Sequence, residues 1–224
     1  MTQIISQIVF NSQCFVALLS FIISLRLVNN KNIPGYMKGF YWYSTIALVV
    51  AIPLFLTDNF FRPYRGYSRI LNNLSLIFHY SFLSIFIIRV IVKKHNIKYL
   101  SFLFVFFLLL LIFVLVNNNL TKQLNLAFSV SNLGLTFFCI IYYYQLFNNI
   151  PTLDLRKEPS FWIITGIFFC MSAHIPITAM GDLLNHKIPL AVYSTLRTIL
   201  TFCYVVMHLF FIKAYLCAIH PRKA

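Results

Sequence analysis

LAVYSTLRTILTFCYVVMHLFFIKAYLC, residues 190–217, is the stretch that decides the fold class. At 1.5 Å per residue, a helix of this length outreaches a hydrocarbon core that needs about 20 apolar residues to cross. Through it run Tyr193, Arg197, Thr201, Tyr204 and His208, spaced four, four, three and four apart. At about 100° per residue they fall within an arc of roughly 80°, so one narrow face of an oily helix is polar from end to end. An arginine turned to lipid near mid-span costs about 3 kcal/mol. The face is therefore expected to look inward, with other spans closed around it.

The rest of the chain supplies those spans. Of its 224 residues 60% are hydrophobic and 10% charged, with a mean hydropathy of +0.83, whereas soluble domains are about one quarter charged. Apolar stretches at about 8–28, 39–57, 73–92, 99–116, 126–147, 161–180 and 190–217 predict an all-α membrane protein, a bundle of seven transmembrane helices forming one domain over residues 1–224. The longest polar connections, Asp58–Asn72 and Asn148–Ser160, leave no room for a soluble domain beside the spans. The first span has no basic segment before it and no small-residue cleavage site after it, so it is expected to stay as a helix rather than be removed as a signal peptide. The fourth, nearly pure Phe, Leu, Ile and Val, is expected to face lipid. Pro53 is expected to kink the second, and Pro189 suits the start of the seventh.

The net charge of +14 comes from 18 Lys and Arg against 4 Asp and Glu. Counted by loop, twelve bases (Arg26, Lys31, Lys38, Arg89, Lys93, Lys94, Lys98, Arg156, Lys157, Lys213, Arg222, Lys223) fall on one side and five (Arg62, Arg65, Arg69, Lys122, Lys187) on the other, with Arg197 inside the last span. The positive-inside rule then gives an outside N-terminus and a cytoplasmic C-terminus. The bases sit at span ends, where anionic headgroups explain them, and nucleic acid is not expected as a partner. Five cysteines lie in or at the edge of spans and indicate no disulfide framework.

On this orientation polar side chains gather in the outer half: Asn11 and Gln13 in the first span, Asn72, Ser75 and His79 on one face of the third, and Ser129, Ser131 and Asn132 in the fifth. His174, Thr178 and Asp182 follow at spacings of four in the sixth. The inner half holds little beyond Tyr204 and His208. The expectation is an outward-facing polar pocket floored by aromatics, with ligand-binding candidates Arg197, His79, His174, Asn132, Tyr193, Asp182, Thr201 and Tyr204. Weighed against it, a histidine in a span commonly bonds a neighbouring helix for about 1 kcal/mol, and Arg197 has the reach to snorkel to headgroups. The arginine- and aromatic-rich 58–69 segment reads either as a lid over an anionic ligand or as an interfacial belt resting on phosphates.

Catalytic readings have less to stand on. No His-x-x-x-His, His-Glu-x-x-His or Gly-x-Ser-x-Gly occurs, and no metal, cofactor or catalytic residue is assigned. The absence of a mid-span carboxylate and of an internal repeat weakens a transporter reading.

At Glu158-Pro159-Ser160-Phe161-Trp162-Ile163-Ile164-Thr165-Gly166, with His79-Tyr80 in the third span and a seventh span rich in Tyr, His and Phe, the chain resembles small seven-span bacterial membrane proteins. Similar regions form membrane input modules of sensor histidine kinases. The resemblance implies a bacterial cytoplasmic-membrane location and a role in sensing. Two departures matter: Ser81 and Ser84 stand where relatives often carry a carboxylate, and no kinase module follows Ala224, so a signal needs a separate partner such as a histidine kinase. The resulting expectation is a sensor or signalling component that binds a ligand from outside. The alternatives are an intramembrane lipid-modifying enzyme using His174 and Asp182, and a structural accessory subunit. Membrane lipids are the other expected partner.

Overall fold

The computed structural model describes residues 2–29, 33, 35–91, 97–121, 124–148, 155–184 and 190–219. The side chains of 2–11, 29, 54, 58, 59, 62, 65, 180–184, 190, 191, 193, 194 and 197 lie outside that description. The described chain is all-helical: α1 (Thr2–Asn29), α2 (Gly35–Asn59), α3 (Arg65–Ile91), α4 (Ile97–Val116), α5 (Asn125–Asn148), α6 (Pro159–Leu184) and α7 (Leu190–Ile219), with short 3-10 turns at Arg62–Tyr64 and Leu155–Lys157. Six of the seven are long and apolar enough to cross a membrane, and the described part of α1 adds the apolar stretch Ser12–Val28. Phe102 (69% exposed), Phe113 (65%) and Val116 (77%) stand on the outside of the bundle. An apolar surface of this kind suits lipid, not water, and the protein is an integral membrane protein.

The helices close into a ring. α1 packs on α2 and α7, α7 on α6, α6 on α5, α5 on α3 and α3 on α2, while α4 lies outside, wedged against α3 and α5. Two glycines set the closest approaches. A Cβ on Gly166 of α6 would stand 2.7 Å from Phe210 Cβ and 3.3 Å from the Met207 carbonyl of α7. One on Gly134 of α5 would meet the Tyr80 ring at 2.9 Å and the Phe107 ring at 3.0 Å.

Helix α3 begins at Arg65, eight residues before the start expected at residue 73. Hydropathy marks only the apolar part of a helix, and the polar first turns Arg65–Asn72 continue the same backbone hydrogen bonding beyond it. The connection from α2 is correspondingly tight, closed by Phe60 N–H and Phe61 N–H both donating to the Leu56 carbonyl. Its aromatics Phe60, Phe61, Tyr64 and Tyr67 are exposed, as an interfacial belt would be. At the opposite end α6 starts as its sequence requires: Pro159 occupies the first helical position, Ser160 Oγ donates to Glu158 Oε1 at 2.9 Å, and Trp162 Nε1 donates to the Arg156 carbonyl at 2.9 Å.

The core in the half of the bundle away from the N-terminus is aromatic. Phe40 meets Phe82, Phe86 and Phe211 edge-on at 5.4, 4.6 and 5.6 Å between centroids, and Tyr43 stacks on Phe82 at 5.2 Å. One polar pair spans this layer, Ser44 Oγ and Tyr215 Oη at 3.1 Å, tying α2 to α7.

Candidate functional site

Above the aromatic layer the ring encloses a cavity of about 440 Å³. It is walled by all six ring helices and by no residue of α4. α3 and α5 contribute mainly from their first halves and α6 from Met171 onward, while α1, α2 and α7 contribute from around their middles, which sets the cavity from mid-bundle toward the end where the chain begins.

Helical periodicity delivers the polar groups. On α3 the rows Ser68, Asn72, Ser75 and His79 and Arg69, Asn73 and Leu76 face inward, with Arg69 exposed at the mouth. Asn73 Nδ2 donates 2.8 Å to the Leu120 carbonyl, so the α4–α5 connection is pinned beside the same wall. α5 brings Ser131 and Asn132, α6 brings Met171, His174 and Thr178, and α7 brings Thr201, Tyr204, Met207 and His208. The α1–α2 wall is different in kind: apart from Gln13 and Tyr43 it consists of Ala17, Ala47, Val50 and Ala51.

Of the candidates named from sequence, His79, His174, Asn132, Thr201 and Tyr204 come together on this cavity. Arg197 and Tyr193 lie on α7 one and two turns before Thr201, and Asp182 in the last turn of α6; the side chains of all three fall outside the described residues. Ser129 turns away from the cavity and donates 2.9 Å to Thr178 Oγ1, joining α5 to α6. Tyr204 and His208, expected as a thin inner-leaflet remnant, instead close the bottom of the same cavity. They follow Thr201 on one face of α7.

The histidines are held differently. His79 Nδ1 lies 3.2 Å from Tyr43 Oη, an α3–α2 bond between two cavity-lining residues, so packing and pocket roles coincide there. His174 Nδ1 lies 2.7 Å from the Cys170 carbonyl of its own helix. A carbonyl only accepts, so Nδ1 carries the proton, and in the neutral ring the lone pair is then on Nε2. The Tyr204 ring packs edge-on against His174 at 4.6 Å, and His208 against Phe211 at 5.8 Å.

Three buried nitrogens on cavity-lining residues have no hydrogen-bond partner among the described residues: Asn132 Nδ2, His174 Nε2 and His208 Nδ1. Asn132, His174 and His208 are only 3%, 2% and 7% exposed. Leaving such a group unmade costs about 1–3 kcal/mol, so three on one wall is an expensive arrangement for packing alone. Among the described residues no three His, Cys, Asp or Glu side chains are grouped to hold a metal ion.

Tyr43 and Asn73 were not singled out from sequence, and Ser68 and Arg69 entered it, beyond the count of bases, only as the end of the 58–69 segment, read as a lid or an interfacial belt and not as the wall of a helix. Arg69 and Ser68 read as loop, because the start of α3 is not apolar. Tyr43 carried a weak signal, standing four and eight residues ahead of Ala47 and Ala51 on one α2 face. No protein-family model matches the chain, and neither the curated proteins nor the solved structures offer a match.

Proposed function

We propose that this membrane protein is a sensor whose cavity takes a small ligand from the side on which its N-terminus lies, and that occupancy changes the spacing of the ring helices. The observation that carries the reading is the buried polar wall with its three unpartnered nitrogens beside a space of about 440 Å³. Ligand sites are commonly apolar hollows of about 300–1,000 Å³ with a few converging polar groups. Two further features favour signalling over mere storage. Every ring helix touches the cavity, so filling it bears on the whole bundle. Pro53 and Pro176 interrupt α2 and α6 close to the cavity, where each removes a helical N–H and leaves the helix easier to bend. Twelve bases against five orient the cavity outward and the aromatic end toward the cytoplasm, where a separate partner of the histidine-kinase type receives the signal.

Thiol labelling tests this. Ala51→Cys on the cavity wall should react above the wild-type background with a membrane-impermeant methanethiosulfonate added outside, and Ala214→Cys beneath the aromatic layer should not. An inert Ala51→Cys, or one reached only from the cytosol, overturns the cavity or its orientation. For signalling, spin labels at Lys157, in the turn before α6, and Lys213, in the last third of α7, should shift in separation by about 2 Å or more when Ala47→Phe fills the space. An unchanged separation removes the sensor and leaves a binding protein.

A further inference from the structure

We infer that the ligand is an amphiphilic organic anion, with a phosphate or carboxylate head and one apolar body; this rests on the ligand-binding reading above and goes on to give the ligand its class. The cavity has two unlike walls. Ala17, Ala47, Val50 and Ala51 make one side apolar and shallow, with short side chains that leave room for hydrocarbon. The opposite wall is polar, and the charge among its described residues is basic. No carboxylate lines the cavity among the described residues, whereas the guanidinium of Arg69 stands at the mouth. Glu158, the one acid whose side chain is described, lies at the other end of the bundle in a bond with Ser160. The backbone sets Arg65 one turn before Arg69 on α3 and Arg197 one turn before Thr201 on α7, so at this end the basic positions outnumber the acidic ones, Asp58 in the last turn of α2 and Asp182 in the last turn of α6.

The hydrogen-bonding inventory points the same way. A guanidinium only donates, and so does an amide nitrogen such as Asn132 Nδ2. An ammonium ligand offers more donors and would be repelled at the mouth; an oxyanion offers acceptors to both. His174 Nε2, an acceptor in the neutral ring because Nδ1 donates to Cys170, suits a head that brings a hydroxyl or an acidic proton of its own. The apolar wall is left with nothing to do by a bare inorganic ion and is covered by a single alkyl or aryl body.

The test uses the full-length protein in lipid nanodiscs and follows its thermal unfolding. Octyl phosphate and octanoate should stabilise it saturably, while octyltrimethylammonium, matched in chain and opposite in charge, should not. Inorganic phosphate should act at concentrations at least tenfold higher than octyl phosphate. Arg69→Gln, an exposed substitution, should leave unliganded stability unchanged and weaken octyl phosphate about tenfold. Stabilisation by the cation equal to that by the anion overturns the inference, as does inorganic phosphate acting as well as octyl phosphate, or an indifferent Arg69→Gln. Lysophosphatidic acid placed in the bilayer, compared with octyl phosphate added from water, tells a lipid source from a soluble one, since only the former should act without aqueous ligand. These failures are distinct from failure of the cavity itself: if Ala51→Cys is reachable and a cation binds, only the ligand class falls, and if it is unreachable and no amphiphile acts, the binding reading falls with it.

Discussion

Asn132 is the residue at which stability and binding should pull in opposite directions. Its side chain is 3% exposed and its amide nitrogen has no partner among the described residues. Replacing a buried unsatisfied amide by an apolar group of similar shape removes a desolvation cost of about 1–3 kcal/mol. Asn132→Leu should therefore raise the melting temperature of the ligand-free protein while abolishing ligand-dependent stabilisation; a lowered melting temperature would mean that the amide is held by a packing bond. Tyr43 separates hydroxyl from ring. Tyr43→Phe removes the bond to His79 Nδ1 at 3.2 Å and should cost about 1 kcal/mol, in line with interhelical hydrogen bonds in membranes. Tyr43→Ala also removes the contacts with Phe82 and Phe211 and should cost about 3–5 kcal/mol in a denaturation series.

Among elements, the α6–α7 and α5–α3 contacts depend on two glycines, and the space around each ranks the outcomes. Gly166→Ala forces a Cβ to within 2.7 Å of Phe210 Cβ and 3.3 Å of a backbone carbonyl, neither of which can swing aside, so α6 and α7 must part. A loss of about 1–3 kcal/mol is expected, the range of an overpacked core. Gly134→Ala meets ring atoms of Tyr80 and Phe107 at 2.9 and 3.0 Å and should cost less, because rings can tilt. Gly66→Ala in the first turn of α3 meets nothing within 4 Å and should be neutral or stabilising by up to about 1 kcal/mol, as alanine favours helix over glycine. Unfolding in mild detergent across the three variants checks the order, and a Gly166→Ala as stable as wild type would mean that α6 and α7 do not approach so closely.

For the molecule as a whole, the ring leaves α4 outside and away from the cavity. Leu109 is 60% exposed on α4, mid-helix and away from the cavity. Leu109→Arg should cost about 3 kcal/mol of insertion, read as a fall in the membrane-integrated fraction. Leu109→Phe should stay within about 0.5 kcal/mol of wild type and leave labelling of Ala51→Cys unchanged. If the phenylalanine variant altered that labelling, α4 would be coupled to the cavity and the division of the bundle into ring and outlier would be wrong.

By itself the sequence determined the membrane class, the number and rough position of the helices, the lipid-facing character of the fourth, and the polar face of the seventh. Each of these follows from local facts, either the length of an apolar run or the 100° step between residues. Only the tertiary structure decided which polar faces meet. Thr201, Tyr204 and His208 share a face of α7 by periodicity alone, but that Asn132 of α5, His174 of α6 and His79 of α3 open onto the same space depends on how the ring closes. Closure is set by contacts between residues far apart in the chain, such as Gly166 under Phe210 and Gly134 under Tyr80. Arg69 and Ser68 were read as the end of a loop and not as part of α3 for a related reason: the backbone hydrogen bonds that carry α3 down to Arg65 do not need apolar side chains, whereas hydropathy registers little else.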